Sequence, residues 1–296
     1  MGRIRVGTAS WTDPTLLRSG RFYPPEAKTA EARLQYYAQN FDLVEVDSSY
    51  YALPEQRTAA LWVERTPLDF VFDIKAFGLF THHPVQVKAL PPDVRSALGG
   101  DPQAKSIYYR NVPPPVADEL WRRFHDALLP LDSAGKLGVV LFQFPPWFTP
   151  SRESYRYMEQ LQLKLPQYHL GVEFRLGSWM DEARRGRVFD FLRENKLSYV
   201  CVDEPQGFHS SVPPVLAATA PVSVMRFHGH NAETWEKKGI TAADRFAYLY
   251  SEQELDDWAP RIKVLADGAE ETHVLMNNCY QDFAVVNARQ FRLLLP

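Results

Sequence analysis

Glu173 and Arg175 stand two residues apart in the stretch GVEFRLGSW, residues 171–179, inside a run that otherwise reads as a buried strand. A strand sends alternate side chains to opposite faces, so the two share one face. A carboxylate beside a guanidinium on a buried face is either a structural ion pair or part of a site. The same spacing groups Glu45 with Asp47, Asp73 with Lys75 and Arg226 with His228, while Gln143, Asp203 and Asn277 end three further strand-like runs. Glu173, Glu45, Asp203 and His228 are the candidates for proton transfer, since a carboxyl desolvated towards neutrality or an imidazole can serve as general acid or base. Lys75, Arg175 and Arg226 could clamp an anionic group, Arg with a bidentate fork. Trp11, Tyr50, Tyr51, Phe144, Trp147, Trp179 and Trp235 fall at or just past strand ends and could wall a flat ligand.

Such groups act together only if their strands end at one place. Short β-branched or aromatic runs alternate along the chain with segments of helical period. The strand candidates are 4–10, 43–50, 70–76, 137–144, 169–175, 198–204, 222–229 and 272–278, with helical spacing around Leu34, Trp62, Leu120, Met158, Val188, Leu255 and Phe283. Alternation of this kind forces parallel pairing with right-handed crossovers, and about eight strands with about eight helices favour a closed TIM-type (β/α)8 barrel. Residues 1–296 read as a single barrel domain. The runner-up, an open Rossmann-like sheet, lacks its fingerprint, because VGTASW after the first strand is not G-x-G-x-x-G. Residues 77–115, rich in Pro and Gly, form a long loop or lid insertion after the third strand, which in a barrel rises over the C-terminal mouth.

In a barrel the helix-facing positions demand apolar side chains, so the charged groups are expected in the lumen or its mouth. Charges there must be paired with one another or with a ligand, because an unpaired buried charge costs several kcal/mol, roughly. Glu45, Asp47, Glu173 and Asp203 stand against Lys75, Arg175 and Arg226, so mutual pairing and a ligand site are both open.

Three functional classes fit. The first is an enzyme or binding protein for a small polar, anion-bearing ligand, using general acid/base chemistry of hydrolase or lyase type. The second is a divalent-metal-dependent hydrolase or isomerase, with Glu173, Asp203, His228 and His230 as ligands; the nearby arginines oppose it. The sequence itself requires no cofactor. The third is a protein that binds a nucleic-acid end through Trp235, Lys237 and Lys238, which the net charge of −3 disfavours. A glycosidase using Glu45 and Glu173 is disfavoured because the ends of the fourth and seventh strands carry Gln143 and Arg226/His228. No G-x-S-x-G occurs, and neither Cys201 nor Cys279 sits in a nucleophile motif. With 45% hydrophobic residues, two cysteines and no apolar run of membrane-spanning length, the composition points to a cytoplasmic protein with no membrane partner.

The successive motifs VGTASW, FYP (22–24), VEVDSSYY, FVFDIKA followed by THH, LFQFPP, EFR with SW, VDEP, RFHGHN and NNCYQDFAVVNA resemble those of the domain-of-unknown-function 72 family over almost the whole chain. The resemblance implies a TIM-type barrel and a biochemical activity that is unassigned. Carried over motif by motif, it puts weight on Ser10, Trp11, Glu45, Tyr50, Lys75, His82, Gln143, Glu173, Arg175, Trp179, Asp203, Arg226, His228 and Asn277. Asp47 stands where the family often has Asn, and Leu176 where a His often follows the EFR triplet.

Overall fold

The protein is described by a computed structural model covering residues 1–99 and 104–295. Eight parallel strands close into a barrel in sequence order: β1 (Arg3–Thr8), β2 (Leu43–Val46), β3 (Val71–Lys75), β4 (Leu137–Gln143), β5 (His169–Glu173), β6 (Leu197–Asp203), β7 (Val222–Phe227) and β8 (Glu271–Met276), with β8 paired back onto β1. All eight are the expected strands, shortened at their C-terminal ends. Val46 ends β2 because Ser48–Tyr50 turns into a 3-10 helix, where Ser49 Oγ donates to the carbonyls of Val46 and Lys75 at 2.8 and 2.6 Å.

Seven main helices cover the barrel: Ala30–Asn40, Gln56–Glu64, Pro114–Ser133, Arg152–Lys164, Glu182–Glu194, Glu252–Asp267 and Phe283–Leu294. Each turns an apolar stripe inward, as Leu120, Phe124, Leu128 and Leu131 do on the third. One crossover lacks such a helix. Residues 204–221, between β6 and β7, contain no helix. Pro213, Pro214 and Pro221 deny the segment the backbone donors a helix needs. It runs extended along β6 instead, where Thr219 Oγ1 accepts from Tyr199 N and donates to Leu197 O, both at 2.7 Å.

The lumen is plugged by a polar layer. Asp73 accepts from the backbone N–H of Val139 at 2.7 Å and faces His273 Nδ1 at 2.9 Å. These contacts accompany a register shift between β3 and β4. Gly138 makes the room: a Cβ there would lie 2.3 Å from Asp73 Oδ1. Asp73 therefore belongs to this plug, and the expected grouping with Lys75 at the mouth does not form.

The 77–115 segment is tied to the barrel flank where it is described. It contains a short antiparallel pair, Val85–Gln86 with Ser106–Ile107, and a helix, Pro92–Ala97. Phe80 stacks on Trp121 with ring centroids 3.7 Å apart, and Trp121 Nε1 donates to Tyr109 Oη at 3.0 Å. Its first residues, Phe77–His83, pass the mouth beside Tyr50. Residues 100–103 of this predicted lid lie outside the described residues.

Candidate functional site

Arg226, fully buried near the end of β7, is the centre of the polar assembly above the plug. Its guanidinium donates from Nη2 to Glu45 Oε1 at 2.7 Å and from Nη1 to Glu173 Oε2 at 2.5 Å. Glu173 turns its other oxygen to Arg175, 2.7 Å from Nη2, and Arg175 Nη1 donates to Glu204 Oε2 at 2.7 Å. The far oxygen of Glu204 accepts from the backbone of Val212 at 2.7 Å. Carboxylate and guanidinium thus alternate through Glu45, Arg226, Glu173, Arg175 and Glu204. Glu173 and Arg175 share a face because Glu173 must touch both arginines.

This alternation corrects the expected clamp of three cations. Arg226 is enclosed and both arms of its fork face carboxylates, while Arg175 lies between Glu173 and Glu204. Arg175 also sits over the ring of Trp235 at 5.4 Å. Of the three, Lys75 lines the open cavity.

His228 extends the network on the far side of Arg175. Arg175 Nη2 approaches Nε2 at 3.0 Å, and the Asn277 amide meets Nδ1 at 2.8 Å. Burial and the charge of Arg175 hold His228 well below its usual value, so the ring is neutral. Its surroundings suit an orienting role better than that of a proton donor.

The carboxyls divide into two kinds. Burial alone would raise Glu173, but Arg175, Arg226 and His228 outweigh it and hold the group well below the carboxylate range. Burial wins at Glu45, pushed up to about 7 against the pull of Arg226, and at Glu204, pushed up to about 8 against Arg175. Glu45 Oε2 has no hydrogen-bond partner among the described residues. Glu45 therefore stores a proton near neutral pH while Glu173 remains ionised.

A cavity of about 470 Å³ opens at the mouth, lined by Ser10, Asp47, Tyr50, Tyr51, Lys75, Gln143 and Asn277, with Ala242, Ala243 and Phe246 contributed by the connection between β7 and β8. Lys75 Nζ donates to Asp47 Oδ1 at 2.8 Å and lies over the Tyr50 ring at 5.0 Å. Arg226 links the cavity to the buried network, approaching Gln143 Oε1 at 3.4 Å.

Four predicted residues go elsewhere. Asp203 shares the outward face of β6 with Tyr199 and Cys201; it accepts from Tyr250 Oη at 2.8 Å and faces His230 Nε2 at 2.9 Å. His230 in turn meets Glu254. The inward position is Glu204, which counting by twos from Val200 and Val202 would have found. Trp11 packs on Trp62 and Phe72, and Trp179 stacks on Phe174 and donates to Phe148 O at 2.7 Å, so both are core. His82 packs against Tyr157 and lines a separate groove with Tyr108, Tyr109, Arg110 and Trp147. The four suggested metal ligands split between two clusters, Glu173 with His228 and Asp203 with His230. Among the described residues no group of three or more His, Cys, Asp or Glu side chains converges as a metal site. Trp235 is buried, while Lys237 and Lys238 are exposed beyond it.

Comparison with known proteins agrees with the barrel. The chain is 31% identical over 296 residues to the UPF0759 protein YunF of Bacillus subtilis (strain 168), covering 99% of this chain and 94% of that one. A crystal structure of a DUF72 family protein from Thermotoga maritima MSB8 superposes with a TM-score of 0.77 at 32% identity, covering 99% of this chain and 98% of the other. Another, from Enterococcus faecalis V583, gives a TM-score of 0.78 at 26% identity, covering 99% and 95%. The family model described as protein of unknown function DUF72 matches residues 5–296, and the chain belongs to that family.

Proposed function

We propose that the barrel mouth is the active site of an enzyme that performs general acid/base chemistry, of hydrolase or lyase type, on a small polar ligand bearing an anionic group. One observation carries the reading: a polar cavity holding Lys75 and Asp47 stands beside a buried carboxyl, Glu45, whose pKa of about 7 suits proton exchange. In this reading Lys75 takes the anionic group. Asp47, released from Lys75 to the extent that the ligand replaces it, contacts the reacting part of the ligand. Glu45, two residues before Asp47 on the same strand face, is the proton reserve. Glu173 stays ionised and fixes Arg226 and Arg175; Gln143, Asn277 and Ser10 supply orienting hydrogen bonds, and Tyr50 and Tyr51 a wall. The 77–115 segment serves as the flank of the mouth and its lid. A cytoplasmic location belongs to the same reading, supported by two free cysteines. No helix among the described residues is long and apolar enough to cross a membrane.

Inorganic phosphate is the direct probe. It should raise the melting temperature of the wild-type protein and of Glu45→Gln, and leave Lys75→Met unmoved. A wild-type protein indifferent to phosphate, or a Lys75→Met variant that responds equally, would overturn the anion site.

A further inference from the structure

The chain that leaves β3 twists at His82, whose φ of +62° lies in the left-handed region that side chains with a Cβ seldom occupy. The twist ends the 3-10 stretch Gly78–Thr81 and delivers the next ring, His83, between Tyr50 and Trp147, with centroids 5.3 and 5.7 Å away. Tyr50 lines the cavity and lies beneath Lys75, so His83 packs against a wall residue of the proposed anion site, and a role for it in binding rests on that reading. The family motif puts weight on His82. The geometry makes His82 the bend and His83 the side chain that faces the mouth's own residues.

One neighbour fixes the tautomer of His83. Thr81 Oγ1 donates its single proton to the Gly78 carbonyl at 3.0 Å. The same oxygen lies 2.9 Å from His83 Nδ1, so Nδ1–H must be the donor and Thr81 the acceptor. The imidazole proton is thereby held on Nδ1, and Nε2 is left as a lone pair. Among the described residues Nε2 enters no hydrogen bond. Burial, reinforced by the charges of Lys75 and Arg175, brings the group down to about 3, so the lone pair persists at every pH near neutrality. An acceptor kept neutral beside two cations disfavours a ligand ammonium and favours a hydroxyl. Trp147, 58% exposed beside it, and Tyr50 offer the aromatic faces that the C–H face of a polyol covers well.

We propose that His83 Nε2 accepts a hydrogen bond from a ligand hydroxyl while Lys75 holds the ligand's anionic group, which narrows the ligand class to small hydroxylated anions such as sugar phosphates and sugar acids.

Two measurements test this. Long-range 1H–15N spectra of the histidine rings, with His83 assigned by its loss in His83→Gln, should show an Nδ1–H tautomer that does not titrate between pH 5 and 8, as burial beside cations requires. An Nε2–H tautomer, or a ring that titrates with the exposed histidines, overturns the proposal whatever the cavity binds. The second measurement compares glucose 6-phosphate with inorganic phosphate in calorimetric titrations. The sugar phosphate should bind about tenfold more tightly to the wild type, the increment of one well-made hydrogen bond. His83→Leu should lose that increment and keep phosphate binding, while His83→Gln, whose amide oxygen can accept, should retain part of it. Phosphate binding with no gain from the sugar overturns this inference alone; binding of neither compound overturns it together with the anion site.

Discussion

Arg226 and Glu45 are 181 positions apart in the chain, yet they meet at 2.7 Å inside the barrel with neither side chain exposed. The contact ties β7 to β2 across the lumen, and Glu173 closes it on the other arm of the same guanidinium. Replacing Arg226 by Met would leave two buried carboxyls without their cation. The cost should be about 3–5 kcal/mol, as for other buried pairs broken on one side, read from urea unfolding. Arg226 is what pulls Glu45 down, so without it Glu45 rises further and stays protonated; the double variant E45Q/R226M should therefore match R226M in stability, with the cost falling on the ionised Glu173. A single variant within about 1 kcal/mol of wild type would mean that the ion-pair network contributes nothing to the fold, against the usual cost of stranding a buried charge.

Stability should fall as pH rises towards 8, and Glu45 and Glu204 set the window. Both are carboxyls whose folded values lie above the ordinary 4.5, at about 7 and about 8. The folded protein then binds protons that the unfolded chain has released, so their contribution is fully present below about pH 4.5 and is lost as pH climbs through the folded values. For Glu45 the loss amounts to about 3 kcal/mol, and Glu45→Gln should abolish that part of the pH dependence. His273 acts in the same direction at higher pH: burial would lower it, but Asp73 and Glu271 raise it to about 9, so its contribution is complete below pH 6.5 and lost as pH passes 9. Melting temperatures from pH 4 to 10 for wild type, E45Q and E204Q separate the three. Below about pH 6.5 the buried, neutral His83 and His228 act in the opposite direction, so the test lies above it: a wild-type profile that rises between pH 6.5 and 8 would contradict the assignment.

Gly138→Ala tests the lumen plug. The added methyl would fall 2.3 Å from Asp73 Oδ1, 2.7 Å from Val71 Cγ1 and 3.0 Å from His273 Cε1, and these neighbours are held by the Val139 and Glu271 contacts. Overpacking of a fixed core typically costs about 1–3 kcal/mol. The same substitution at Gly186, an exposed helical position with nothing within 4 Å, should be neutral or stabilising and serves as the control. Equal stabilities for the two variants would show that the plug yields.

The barrel was legible because alternation of period two and period 3.6 recurs along the chain, and each run of Val, Ile and Leu with a polar terminus did end at the common mouth. The missing helix was legible in principle as well, in SVPPVLAATAP, but an extended segment that mimics a helix's cover leaves no periodic trace. Glu173 and Arg175 were readable as partners; that Arg226 and Glu204 complete the network was not, because strand order gives neighbours and not the reach of a side chain across a lumen. Lys75 and Arg226 have the same sign and the same kind of address in the sequence. Only burial separates a cation that a ligand can meet from one already enclosed by carboxylates. Trp11 and Trp179 failed as wall residues for a related reason: a ring at a strand end faces the helix layer as readily as the mouth.

Asp203 and Glu204 are adjacent in sequence and belong to different assemblies, which makes them the sharpest test of the site's boundary. Asp203→Asn weakens an outward cluster with Tyr250 and His230, so it should lower stability by about 1.5–3 kcal/mol, the range for a charged hydrogen bond, and leave the phosphate-induced melting shift intact. Glu204→Ala removes one of the two acidic side chains that hold Arg175, freeing a guanidinium arm behind the mouth. Phosphate should then bind more tightly than to wild type, since Arg175 becomes able to take an anion. If Asp203→Asn abolishes the phosphate response and Glu204→Ala does not change it, the site is centred on the outward cluster, and the assignment of the chamber to Lys75 and Asp47 beside Glu45 is wrong.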